Sequence, residues 1–305
     1  MASGKKHKNY RDRVEEAVIS KQRTFAMYER KLLNIATSMW EYEVPDTVDV
    51  PFLERTLIFQ GRALLFKDPD IGWLALPMRN KAGLDIYNRP LKRVAYAANG
   101  YRFGEKADEL LTEENSVIIY NNMLRTNSIE DIRYYAEKLA EIDQILDVNL
   151  NAQKFSILIR CSKEMRVAML NAYEQYEAGV PVIFGDERMN TTNAQMQAIN
   201  TAAPAIFPQL QQHKNNIWNE ALTAIGIPNV AINKKERLIT DEVERSMGGA
   251  NACRYARELP RQEGMEHART IWKGTTFKVA FREEAMAERD RYKVDNQEEQ
   301  SGGDE

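Results

Sequence analysis

The side chains in this sequence with chemistry to offer are its clustered cations. Lys5, Lys6, Lys8, Arg11 and Arg13 crowd the first residues. Cations spaced so closely either contact phosphates or an acidic partner surface, or form a solvated terminus. A second group lies in "INKKERLITDEVERSMGGAN", Ile232–Asn251, where Lys234, Lys235 and Arg237 stand among Glu236, Asp241, Glu242 and Glu244. By composition alone this stretch is a polar linker, its adjacent lysines solvated and its Gly248-Gly249 pair loosening the exit.

Patterns that carry catalysis are missing. The sequence has no G-x-x-x-x-G-K-[ST] loop, no G-x-G-x-x-G turn after a strand and no G-x-S-x-G elbow. His7, His213 and His267 share no ligand-like spacing with each other or with a cysteine, so no metal site is expected. Glu263 and Glu266 beside His267 read as a solvated charge pair. Cys161 ends an apolar run and reads as a small buried hydrophobe. The expectation is a protein with no enzymatic activity and no cofactor.

Composition narrows the class further. Hydrophobic residues make up 43% and charged residues 29% of 305, enough apolar content for a real core. No apolar run approaches the ~20 residues of a membrane span, so no membrane partner is expected. The net charge of -3 does not mark the whole chain as a nucleic-acid binder. Cys161 and Cys253 lie far apart and suggest no disulfide framework, which fits folding in a reducing interior. The first residues lack the apolar core of a secretory signal. The final "DNQEEQSGGDE" has nothing to bury and is expected to be disordered.

The elements that must position the cations follow from periodicity and punctuation. Apolar residues at helical spacing predict one long amphipathic helix from Glu15 to Glu41. "PFLERTLIFQG" predicts a short helix with Pro51 in its first turn and Gly61 beyond its end. Between Arg62 and Tyr120, "ALLF", "GWLALP", "RVAYA" and "SVIIY" read as short strands separated by turns at "KDPD" and "RNKAG". Ser128 stands at an N-cap, with Asp131 in the capping-box position, of a helix reaching Asn149. Then come the strand "FSILIR", a helix from Glu164 to Glu177 and the strand "PVIFG". Pro204 to Ile225 predicts another helix, with Pro208 early and Gly226 as its stop. After the polar stretch, "ANACRYAREL" and "PRQEGMEHARTIWKG" read as two helices and "TTFKVAF" as a strand. The class is α+β, mainly α.

Five blocks carry a resemblance: "SVIIYNN", "NLNAQK", "YEQYEAGVPVIF", "NNIWNEALTAIGIPN" and "KKERLITDEV", with "EYEVPDTVDVPFLERTL" matching more loosely. In this order they resemble the portal protein, also called upper collar or head–tail connector, of small short-tailed bacteriophages with protein-primed linear genomes, the picovirus-type podophages. The resemblance weakens at both termini and from Arg245 to about Thr276. It implies a portal fold assembled as a ring of twelve around a channel at one capsid vertex. It implies a basic arm at 1–14, a wing with a long outer helix and a β-rich module at 15–127, and stem helices at 128–150 and 204–226. An α/β clip would occupy 151–203, a tunnel loop 227–251, wing or crown elements 252–285 and an acidic disordered tail 286–305.

On that resemblance Lys234 and Lys235 match the family's paired lysines and, with Arg237, would touch DNA in the channel. The implied partners are the double-stranded DNA genome, the major capsid protein, a lower collar or tail protein and a scaffolding protein. A packaging ATPase, with or without a packaging RNA, completes the set. The implied location is the virion, after assembly in the host cytoplasm. Relatives carry further lysines near the clip, whereas here "QAINTAAPAIFPQLQQHK" has only Lys214, so Asn200 and Gln209 receive no DNA role. The competing expectation is a helical DNA-binding adaptor or head-completion protein without a portal role, binding through the basic arm.

Overall fold

The computed structural model describes residues 10–152, 156–160, 182–185, 197–199, 206–228 and 240–282. Two compact units emerge: Met1–Phe25 with Lys138–Ile217, and Ala26–Glu137 with Trp218–Glu305. The α+β class is as expected.

Helix α1 runs Tyr10–Thr37, and in the second unit Tyr28, Leu32 and Ala36 bury one stripe at four-residue spacing. It begins before Glu15, because nothing between Tyr10 and Glu15 breaks a helix, so Arg11 and Arg13 of the expected arm stand on helical backbone. Its end also differs from the expected Glu41. Ser38 N–H caps the last turn on Asn34 and Ile35 oxygens, and Trp40–Glu43 becomes strand β1. The reason is a partner periodicity cannot see: β1 pairs antiparallel with β11 (Lys278–Phe281), setting Trp40 opposite Phe281.

Helix α2 (Val50–Gln60) forms as read. The Asp49 side chain accepts the Phe52 N–H at 2.9 Å, and Gly61 closes the helix at φ 77°. A Cβ on Gly61 would stand 2.7 Å from the Thr126 carbonyl carbon, so the position needs glycine for both reasons.

The β-rich module is two three-stranded antiparallel sheets. One is ordered β3 (Gly72–Leu76), β2 (Arg62–Asp68), β7 (Ser116–Tyr120); the other is β4 (Met78–Leu84), β5 (Pro90–Tyr96), β6 (Arg102–Phe103). Leu64, Phe66, Met78, Ala95 and Leu111 form its core, with Phe103 stacked on Phe66 at 5.2 Å. The turn at "KDPD" is present: Asp68 Oδ1 accepts the Asp70 and Ile71 N–H groups. "RNKAG" is not a turn but the body of β4. Its residues are exposed on both faces and its register shifts between Asn80 and Ala82, so no alternation signalled a strand.

Helix α3 (Ile129–Ala152), about 36 Å long by its rise, starts at Ser128 as expected. Ser128 oxygen accepts the Ile132 N–H, while its hydroxyl accepts from Asn121 Nδ2 at 2.6 Å. In the first unit, α3 buries Leu139, Ala140, Ile142 and Leu146. Strands β8 (Ser156–Arg160) and β9 (Val182–Gly185) appear where read and pair in parallel. An unforeseen β10 (Gln197–Ile199) adds antiparallel to β8. The helix expected at Glu164–Glu177 lies outside the described residues.

Helix α4 spans Phe207–Ile225, starting just past the expected Pro204, with Pro208 in its first turn. Lys214, the lone cation of its neutral approach, pairs with Asp143 of α3 at 2.5 Å. Helix α5 is the larger correction. Thr240–Ile271 is one continuous helix, taking in Gly248-Gly249 and both helices read after them, with Pro260 inside. Proline removes the N–H that would reach the Ala256 oxygen. That oxygen instead accepts the Met123 N–H at 3.0 Å, so the break is satisfied from outside and the helix continues.

Candidate nucleic-acid interface

The segment carrying the paired lysines is held by α4 at one end and α5 at the other. Gly226 ends α4 at φ 99°, and the Ile227 N–H reaches back to the Leu222 oxygen at 2.9 Å, the 6→1 bond of a Schellman stop. A Cβ on Gly226 would stand 2.7 Å from Arg254 Cα, so α4 ends directly against the α5 backbone. A Cβ on Gly249 would stand 3.7 Å from Thr223 Cγ2, an ordinary contact distance, so the helices also approach there without requiring a glycine. Thr240 lies fourteen helical positions before Arg254, about 21 Å along α5 at 1.5 Å per residue. The connection thus leaves α4 beside Arg254 and enters α5 at a point well displaced along it. In the second unit the α4 half also packs Ala221 and Ile225 inward, and Lys31 of α1 lies over the Trp218 ring at 4.6 Å.

This placement shortens the expected loop. Residues 240–251, expected within it, are helical backbone; the glycine pair lies inside α5 and supplies no loose exit. Lys234, Lys235 and Arg237 lie outside the described residues. So do Lys5, Lys6 and Lys8, whereas Arg11 and Arg13 stand two positions apart on the α1 backbone.

What fixes α5 in place is a buried charge cluster that sequence reasoning passed over. Arg261, 1% exposed, forks onto Glu54 of α2, 0% exposed, with Nε–Oε1 and Nη2–Oε2 both at 2.8 Å. Its Nη1 donates to the Asn121 and Arg257 oxygens at 2.7 Å each, and its guanidinium lies 5.1 Å from the Trp40 ring. The Tyr42 hydroxyl donates to Glu54 Oε1. Four elements, α2, β1, the loop after β7 and α5, are tied at one point.

Electrostatics keeps the Arg261 guanidinium charged. Burial opposes the Arg261 charge, but Glu54's charge and bonds outweigh it and hold the guanidinium above its ordinary pKa. Burial, then the Glu54 charge, push the Tyr42 phenol well up, so it remains a donor. Arg257 is also buried, and burial together with Arg261 brings it down to about 10. The signal was present: Glu54 falls among Leu53, Leu57 and Ile58 on the buried face of α2, and Arg261 aligns with Met265 and Ala268 on that of α5. A charge on an apolar face calls for an opposite charge across the core.

A sequence profile of the family described as Phage Connector (GP10) matches residues 9–286. The chain belongs to that family. Among solved structures, the fold is shared with a chain of the portal and tail of native bacteriophage P68, at 17% identity and a TM-score of 0.52. That match covers 96% of this chain and 99% of the other. A chain from the neck of an empty gene transfer agent particle is similar at 10% identity and a TM-score of 0.42, covering 91% and 88%. As a connector, the protein is a structural component of the virion that serves where head meets tail.

Proposed function

We propose that this connector is the portal ring of a picovirus-type podophage, twelve copies around a channel at one capsid vertex. The observation that carries this reading is the connector-family match across residues 9–286. The ring passes the double-stranded DNA genome inward during packaging and outward during ejection, and hydrolyses nothing itself. A separate packaging ATPase, with or without a packaging RNA, supplies the work. The scaffolding protein and the major capsid protein meet the ring during assembly in the host cytoplasm, and the lower collar or tail protein meets it below.

Lys234, Lys235 and Arg237 then repeat around the channel as weak phosphate contacts. Such contacts ignore base sequence and weaken with salt, which suits a passage that must carry any genome. With Gly248-Gly249 inside α5, the contacting segment of this reading is residues 227–239. In the stretch from Gln197 to Lys214, Lys214 is paired with Asp143, which supports a polar rather than strongly basic lower channel.

The adaptor alternative is separated by removing the basic arm. Deleting residues 1–9 leaves the mass of the assembled oligomer unchanged apart from the missing residues, by native mass spectrometry. An adaptor would instead run as a monomer and lose its DNA affinity with Lys5, Lys6 and Lys8. That second outcome contradicts the portal reading.

A further inference from the structure

A cavity of about 250 Å³ opens in the second unit between the β4–β5 hairpin, β7 with the loop after it, and α5. The deepest of its charged groups is Arg93 of β5, 5% exposed. Arg93 Nε donates to the Pro90 oxygen at 3.2 Å, and Nη1 to the Ser116 oxygen at 2.7 Å, with longer bonds to Ser116 Oγ and the Thr112 oxygen. Every one of these acceptors is neutral. Among the described residues no carboxylate bonds Arg93 directly; Glu113 acts on it only through space, and burial still outweighs that attraction and lowers the guanidinium's pKa. A buried cation bonded only to neutral oxygens carries a desolvation cost that an entering anion would offset.

The rim is built around that charge. Arg125 lies over the Tyr120 ring at 4.9 Å and Arg89 over the Tyr87 ring at 5.7 Å. Arg125 Nη1 donates to the Tyr87 oxygen at 3.5 Å, joining the loop to the hairpin. Arg125 and Asn88, one on each side of this join, both hold left-handed backbone at φ about 60°, which side-chain-bearing residues avoid without a compensating context. Around it, Ile86 is 88% and Leu124 82% exposed, and Met123 and Tyr87 are more than half exposed. Clustered exposed apolar side chains of this kind mark contact surfaces.

The charge balance selects the occupant. Glu113 and Glu263 also line the cavity, so three guanidiniums face two carboxylates. That excess suits one carboxylate rather than a polyphosphate strand, and the apolar wall of Met123, Leu259 and Pro260 suits a side chain beside it.

We propose that this cavity docks an acidic–apolar peptide segment of a partner protein, one carboxylate lying against Arg93 between Arg89 and Arg125. The inference does not depend on the ring or on its channel. The test uses the full-length chain and a fluorescein-labelled blocked peptide, Leu-Asp-Ala-Leu-Glu, read by anisotropy. Its Asn/Gln twin, inorganic phosphate and a short DNA duplex are the controls. The acidic peptide saturates, the twin binds at least tenfold more weakly, and neither phosphate nor duplex displaces the peptide at equal charge concentration. Arg93→Met lowers affinity at least tenfold. Because that residue is buried, the exposed pair Arg89→Gln with Arg125→Gln is measured too and loses a similar factor with an unchanged melting temperature. No saturable binding, equal binding of the neutral twin, unchanged affinity in the exposed double variant, or displacement by phosphate or DNA would each overturn the proposal.

Discussion

Replacing Arg261 with methionine is expected to lower the thermal midpoint of the connector by roughly 10 °C. The substitution leaves the Glu54 carboxyl at 0% exposure with its bidentate partner gone, and strips a donor from the Asn121 oxygen. Breaking a buried pair from one side costs about 3–5 kcal/mol. At about 2–4 °C per kcal/mol for a folded unit of this size, the shift follows. Glu54→Leu alone is expected to cost a comparable amount, because Arg261 then has its charge in an apolar site beside Arg257. The double variant, Glu54→Leu with Arg261→Met, removes both charges and should recover much of the loss. Midpoints by differential scanning calorimetry close the cycle. Losses that simply add would mean that the pair is not what pins α5. Lysine is no substitute, since one ammonium cannot reproduce the fork that Glu54 accepts.

The second large effect concerns the paired lysines and is expected in DNA handling with the fold unchanged. Lys234→Ala with Lys235→Ala should assemble as the parent does, because α4 meets α5 at Gly226 and Arg261 ties α5 to α2, and neither contact uses these lysines. Genome retention late in packaging, or the course of ejection, should change. For assembled protein binding short duplex DNA, the slope of log affinity against log salt should fall by about 0.9 for each phosphate no longer neutralised. Failure of the double variant to assemble would make the segment a structural element and remove its DNA role.

The helix ends that carried their own punctuation were legible in the sequence. Pro51 and Gly61 bracketed α2, and Gly226 ended α4, because such punctuation acts locally. Strands β2, β3, β5 and β7 showed as apolar runs because each buries a face. What escaped depended on distant partners. Trp40 and Glu41 looked helical until β11 was available to pair with them. The exposed β4 offered no alternation. Pro260 looked like a helix break because the Met123 N–H that satisfies the Ala256 oxygen comes from another part of the chain. Gly248-Gly249 looked like a hinge because glycine is a poor helix former in isolation, whereas here the pair lies inside the continuous α5. The cation pair Lys234-Lys235 was visible as a pattern, but its DNA role came from family resemblance rather than from charge spacing.

End-on electron-microscope images of the purified full-length protein are expected to show closed rings with a central opening wide enough for duplex DNA. One rotational symmetry, twelvefold, should dominate. A population that stays monomeric at high protein concentration, or that associates into open chains without closing, would contradict the portal reading.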